Sequence, residues 1–469
     1  MKLKNLKITN FRCFESLSIE LDEQLTVLVA KNGQGKSSVL DAIRIGLWPF
    51  VKGFDLARNP ASDARNTISI DDVRITFKKP NRQMLRQLPS KIAFEGDWDI
   101  DLKVKGFDQY KKTWNWTRIR DSEAKGTKTK ERGAARLIKL LASITQDFAR
   151  DPESHEIDLP VMGYYGTGRL WSQKRLTEGK TVRGIENPDF YMRLFAYRDC
   201  LDPAPSYKHF ADWFTWVFEC YREDQIKQSE TGWSPEIDSV WMNTIKVVQQ
   251  AIDSVLYETG WHTLEYSVSH EKSLVLNHDE HGILKVELLS DGIRGVLAMV
   301  GDVAYRCIKL NPHLGLDAAK ESHGVVMIDE VDMHLHPAWQ QTILGNLIKA
   351  FPKIQFIVTT HSPQVISTVS GHQIRILEGN HVLSVEEEGT QGAEASRILK
   401  EVFGVELRAQ HLEIVKKLNR YLKLVDDDKW DTSEAFALRQ ELDDWGRGHE
   451  PELVKADIDI RMKEYQRKS

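Results

Sequence analysis

Ala30-Lys31-Asn32-Gly33-Gln34-Gly35-Lys36-Ser37-Ser38 decides the fold. Leu25-Thr26-Val27-Leu28-Val29 precedes it, a short apolar, β-branched run that predicts a buried strand. Val39 to Leu47 follows and predicts a helix. A strand, a glycine turn and a helix opening on Gly-Lys-Ser make a phosphate-binding loop. Gly33 and Gly35 let backbone amides turn toward phosphate, and the helix N-terminus adds free N–H groups and its positive dipole end. Asn32, Gln34 and Ser38 complete the cradle, Lys36 can reach β- and γ-phosphates, and the Ser37 hydroxyl can hold Mg²⁺. The usual pattern is G-x-x-x-x-G-K-S/T, and Ala30 stands at its first glycine. Alanine avoids positive φ, so this position is expected in ordinary backbone or in a slightly altered loop.

Working outward, residues 3–9 and 16–21 alternate apolar and polar and predict a hairpin turning through Asn10–Phe14. Residues 66–79, 90–105 and Thr113–Arg120 alternate too and predict an antiparallel side sheet. Between Lys103 and Lys139 stand 12 Lys or Arg against 4 Asp or Glu, with Trp114 and Trp116 among them. This run offers either a contact for single-stranded nucleic acid or a solvated sheet face. Residues 133–149 predict a helix. Leu159–Trp171 reads as a strand entering a Gly-rich loop, either a tight turn that needs its glycines or a segment from which Arg169 or the nearby Gln173 could report on a γ-phosphate. Residues 189–227 and 235–256 predict aromatic-rich helices. No sustained heptad runs between Lys36 and Leu289, which argues against a long coiled-coil arm.

The second half carries the other motifs in series. Leu289-Ser290-Asp291-Gly292 opens a helix, where Ser290 and the Gly292 amide can donate to a phosphate; Ser290 is equally a helix N-cap. His323–Ile328 is an apolar strand ending in Asp329 and Glu330, one to hold Mg²⁺ and the other to orient or deprotonate water. Asp332 follows. Ile354–Thr360 is another buried strand, ending at His361. His334 and His336, two apart with His361 beyond, lack a metal-ligand quartet.

Composition bounds the rest. The 469 residues are 41% apolar and 28% charged, with net charge −5, so no global basic field points to nucleic acid. The four cysteines form no C-x-x-C pair. No membrane span or signal region is legible, and the cytoplasm is the expected setting.

These motifs, in this order, resemble a transporter-type (ABC) ATPase of the RecF, Rad50 and overcoming-lysogenization-defect group. The Leu159–Trp171 stretch, the Ile328–Pro337 stretch and a tail beginning Gly392–Leu399 are similar to the ATPase subunit of Septu-type anti-phage systems, also found beside some retrons. The resemblance implies an α/β fold: an ABC-type P-loop head with antiparallel side sheet, a helical insertion and a C-terminal helical tail. The expected division is 1–150 and 285–390 for the two parts of the head, 151–284 for the sensing loop and insertion, and 391–469 for the tail. The resemblance also implies that Arg12 stacks on adenine and that His361 is a switch histidine touching the γ-phosphate. It implies ATP and Mg²⁺ as cofactors, with Ser290, Gly292 and Asp332 serving the nucleotide of a second copy. The chain would then be a homo-oligomer built on head-to-tail dimers, whose nucleotide state restrains a separate HNH nuclease. Two alternatives stand beside this. One is a DNA-repair head that binds DNA itself. The other is an ATPase with a built-in Toprim nuclease at Glu378 and Asp426–Asp428. The apolar spacing of Leu412, Val415, Leu418, Leu422 and Val425 argues against the second, because it puts those aspartates at a helix end.

Overall fold

The computed structural model describes residues 1–58, 60–78, 83–98, 113–151, 156–170, 188–203, 207–231, 240–384 and 389–468. They form two units, Met1–Ile398 and Leu399–Ser469.

The first unit begins with β1 (Lys2–Phe11), β2 (Phe14–Glu20) and β3 (Leu25–Val29), then helix α1 (Lys36–Val51). Next come β4 (Ile75–Lys78), β5 (Gln83–Arg86), β6 (Ser90–Asp97), β7 (Thr113–Arg120), β8 (Lys130–Gly133) and α2 (Ala135–Arg150). The N-terminal hairpin is itself part of the side sheet, whose antiparallel order is β2-β1-β6-β7-β8. The alternating run 66–79 departs from expectation. Ser69 and Asp72 close a turn, with the Ser69 hydroxyl and N–H both donating to Asp72 Oδ2. Val73 makes a single antiparallel bridge to Phe11, and Ile75–Lys78 pairs with β5 in a separate ribbon. Of the run 90–105, Ser90–Asp97 is a strand, and residues 99–105 lie outside the described residues.

The basic run is partly internal. Arg118 and Arg120 are each 2% exposed and donate to backbone carbonyls, among them Asn66 and Ile68. Trp116 is buried and donates to the Gly46 carbonyl, and Trp114 stacks on Trp98. Trp116 thus ties the side sheet to α1, and Arg118 and Arg120 tie it to the 66–68 segment, so these two arginines are not offered to a polyanion. Residues 99–112 lie outside the described residues.

The main sheet adds β9 (Val161–Tyr165), β13 (Gly324–Ile328), β14 (Ile354–Thr359), β15 (Ile374–Glu378) and β16 (His381–Ser384), in the order β16-β15-β3-β14-β13-β9. All pairs are parallel except β15–β16. Every residue of β3, β9, β13 and β14 is buried, as strands covered on both faces require.

The insertion is less helical than its aromatics suggest. Pro188–Tyr191 and Arg193–Tyr197 are 3₁₀ turns, and helix α3 begins only at Tyr207, running to Thr231. After α4 (Val240–Leu256) comes a three-stranded antiparallel sheet, β10 (Trp261–Ser267), β11 (Ser273–His278) and β12 (Gly282–Lys285), which was not anticipated. Its signal was present: Leu264 and Tyr266 face in while Glu265 is half-exposed. Helix α5 (Asp291–Leu310) follows, and α6 (Ile343–Ala350) precedes β14.

A short helix, Ala395–Glu401, leads into the second unit. That unit holds α7 (Glu413–Asp426), α8 (Ser433–Gly446) and α9 (Pro451–Lys468) around Leu418, Tyr421, Leu424, Trp430, Leu442 and Leu453. Asp426 closes a helix, so the Toprim arrangement, which needs its aspartates after a strand, is absent there.

Candidate active site

The carboxyl ends of β3, β14 and β13 lie side by side, the edge of a parallel sheet where ligands bind. Because β14 is inserted between the other two, its end puts His361 between the phosphate loop and the acidic pair. Lys36 Nζ lies 2.6 Å from His361 Nε2 and donates to the Ala30 carbonyl at 3.0 Å. The Ser37 hydroxyl donates to Asp329 Oδ2 at 2.7 Å. Residues separated by some three hundred positions thus converge at one point.

The loop is built as its spelling requires. Gly33 and Gly35 take φ of 81° and 91°, and Gly35 caps α1. A Cβ on Gly35 would stand 2.5 Å from the Phe14 ring and 2.6 Å from Cys13 Sγ, so the first hairpin packs under the loop. Ala30 is not among the residues with positive φ, which explains why alanine is tolerated there. Gln34 Oε1 accepts from the Gly379 N–H at 3.1 Å, tying the loop to the turn after β15. Asn32 and Gly33 are exposed, Gln34 and Ser38 half-buried.

One hydroxyl orients both acids, and sequence reading missed it. Thr359 Oγ1 donates to Asp329 Oδ1 at 2.6 Å and accepts from the Glu330 N–H at 2.8 Å. Thr360 Oγ1 donates to Asp332 Oδ1 at 2.6 Å. The signal was the Thr-Thr pair at the end of β14, adjacent to His361. Glu330 takes φ of 49°, a conformation a non-glycine residue adopts only when its surroundings enforce it. Asp329 is 4% exposed, and with Ser37 it offers an oxygen-only pair that suits a hard divalent cation.

Charge at the site is shaped by burial. Desolvation pushes the Lys36 ammonium below its usual range, with Asp329, Glu330 and Asp332 opposing. Desolvation, then Lys36, lowers His361. A neutral imidazole accepting from the ammonium follows. The sign for stability is set by that depression. Below its ordinary value of 6.5 the unfolded chain takes up the proton first, so the His361 contribution is intact above pH 6.5 and is lost as pH falls through the folded value. Nucleotide-free His361→Gln is expected to lose thermal stability less steeply than wild type below about pH 6.5. Melting temperatures across pH 5–8 check this, and parallel curves would contradict it.

The remaining site residues are placed as follows. Ser290 N-caps α5, accepting from the Ile293 N–H at 3.5 Å; among the described residues its hydroxyl has no bond to Lys36, Ser37 or Asp329. Gly292 is buried against the His334 carbonyl, which a Cβ would approach to 2.3 Å. Arg12 is engaged by two carboxylates, Asp41 at 2.6 Å and Asp72 at 2.8 Å, and lies over the Phe11 ring. Asp41 also pairs with Arg44, so the arginine expected to stack on adenine is held to the flank of α1. His336 caps a short helix through the Ala338 N–H. Leu170 ends a 3₁₀ turn; Gln173 and the side chain of Arg169 lie outside what is described.

Two family models match this chain: AAA domain over residues 5–229, and AAA domain, putative AbiEii toxin, Type IV TA system, over residues 236–367. The chain is an ABC-type P-loop ATPase. This ATPase is 25% identical to the Retron Ec83 probable ATPase of Escherichia coli, across 99% of its own length and 87% of that protein's. It is 40% identical over 96 residues to the Septu protein PtuA of Bacillus mycoides (strain KBAB4), which is 20% of this chain and 13% of that one. Among solved structures, the SmcHead bound to the C-winged helix domain of ScpA aligns with a TM-score of 0.49 at 15% identity, over 82% of the ATPase and 98% of that chain. Among the described residues of the ATPase, no helix is long and apolar enough to cross a membrane.

Proposed function

We propose that this ATPase is the nucleotide switch of an anti-phage defence complex. One copy binds ATP through Gly33, Gly35 and Lys36, with Ser37 and Asp329 as the holders of Mg²⁺. A second copy completes the pocket with Ser290, Gly292 and Asp332. Bound there, Mg²⁺ would neutralise charge on the phosphate oxygens. Glu330 takes the proton of the attacking water, and His361 and Lys36 exchange their mutual contact for the γ-phosphate. ATP thus joins two heads and hydrolysis releases them, a two-state element whose position gates an associated HNH nuclease.

The observation that carries the enzymatic half is the convergence of Lys36, His361, Ser37 and Asp329. The defence role draws its support from the near full-length similarity to a retron ATPase. The DNA-binding alternative is weakened by the burial of Arg118 and Arg120 within the run that suggested it. The purified chain is expected to hydrolyse ATP slowly, only with divalent metal, and to cut no nucleic acid. Addition of the product of the neighbouring reading frame should create an ATP-sensitive nuclease. Metal-dependent cleavage by the isolated chain would overturn the division of labour.

A further inference from the structure

The end of β9 is bonded to two other parts of the head at once. Through its backbone, the Tyr165 carbonyl accepts from the Asp329 N–H at 2.8 Å. Through its side chain, the Tyr165 hydroxyl donates to Asp302 Oδ2 at 2.8 Å. Asp302 lies on α5, the helix that Ser290 caps, and it is chelated by Arg306 one turn on, Nε to Oδ2 at 2.8 Å and Nη2 to Oδ1 at 3.3 Å. Arg306 Nη1 donates in turn to the Ala196 carbonyl, fixing the segment that flanks β9. All three side chains are buried, and Asp302 and Arg306 are each 2% exposed. Burial and the neighbouring Asp302 raise the Tyr165 phenol, which keeps its proton and stays a donor. Gly163 leaves room for this ring, since a Cβ there would stand 2.9 Å from Tyr165 Cε2.

A buried polar network with its groups satisfied holds one geometry, because any partial break strands a charge in low dielectric. An apolar trio would have bridged β9 and α5 without that directional constraint. Packing alone therefore leaves unexplained why the polar link runs between the residue whose carbonyl accepts from the Asp329 N–H and the helix that opens on Ser290.

We propose that Tyr165 is a positioning residue, holding Asp329 and Glu330 in register with α5 so that a shift of α5 when a second copy docks on Ser290 is felt at the acids. This rests on the reading that Ser290 serves a second copy's nucleotide. Tyr165 touches no substrate; it acts through the Asp329 backbone and through Asp302.

The test is Tyr165→Phe in the full chain, with Asp302→Asn and the double variant beside it. Tyr165→Phe leaves the Asp302–Arg306 pair whole and so is the variant expected to fold. Its ATP affinity should stay within about twofold of wild type, while kcat falls by about tenfold to a hundredfold, the scale of a small misplacement of catalytic groups. If Asp302→Asn folds, it should show the same split, and the double variant should be no slower than the worse single, because one link is cut only once. Wild-type kcat in Tyr165→Phe, loss of ATP affinity in step with kcat, or additive loss in the double variant would overturn the proposal. Glu330→Gln separates the two failures. If it is inactive while Tyr165→Phe is fully active, only the brace falls. If it too hydrolyses normally, the reading of the site falls with it.

Discussion

Glu330→Gln is expected to bind ATP as tightly as wild type and to hydrolyse it about a hundred- to ten-thousand-fold more slowly, the range for losing a general base. Glutamine keeps the shape of the side chain and removes its proton affinity. The backbone supports that separation. The Glu330 N–H is pinned by Thr359 Oγ1, and the residue is already in the left-handed region, so the substitution has no new conformation to impose. Lys36, Ser37 and Asp329 remain as they are. Single-turnover hydrolysis and equilibrium binding of a fluorescent ATP analogue check the two halves separately. Hydrolysis within tenfold of wild type would remove Glu330 from the chemistry.

The second large effect comes from one methyl group. Gly35→Ala is expected to destabilise the free chain by about 1–3 kcal/mol, the cost of a strained backbone site. It should also abolish the thermal stabilisation that ATP with Mg²⁺ gives wild type. Two causes act together: φ is 91°, and the new Cβ would lie 2.5 Å from a Phe14 ring carbon and 2.6 Å from Cys13 Sγ. The loop must shift, and the amides that face phosphate shift with it. Gly33→Ala is the internal comparison. Its φ is 81°, but nothing lies within 4 Å of the added carbon, so its loss of stability should be the smaller of the two. Differential scanning fluorimetry with and without ATP reads both, and equal behaviour of the two variants would contradict the packing argument.

What could be read from the chain follows from how local each signal is. The strand Leu25–Val29 and the strand end before Asp329 are where their apolar runs place them, since strands buried on both faces have no other spelling. The glycine turn was legible because its glycines, lysine and serine stand within a few residues of one another. Arg12 was legible as a turn residue, but its engagement by Asp41 and Asp72 depends on α1 and the 69–72 turn meeting in space. The 261–285 sheet left only a weak signal, the alternation of Leu264, Glu265 and Tyr266, because its strands are short and aromatic-rich helices precede it. The roles of Thr359, Tyr165 and Asp302 were harder to read for a further reason. Each is an ordinary strand or helix residue, and its importance arises only from the order β3-β14-β13-β9 and from α5 packing beside it.

That two copies complete each other's pockets is tested most directly by the mass of Glu330→Gln in solution with ATP and Mg²⁺, by light scattering, beside Glu330→Gln carrying Ser290→Arg. The account predicts that ATP raises the mass by at least one further copy and that Ser290→Arg prevents the increase while ATP still binds. A mass unchanged by ATP, or an increase that Ser290→Arg leaves intact, would contradict it.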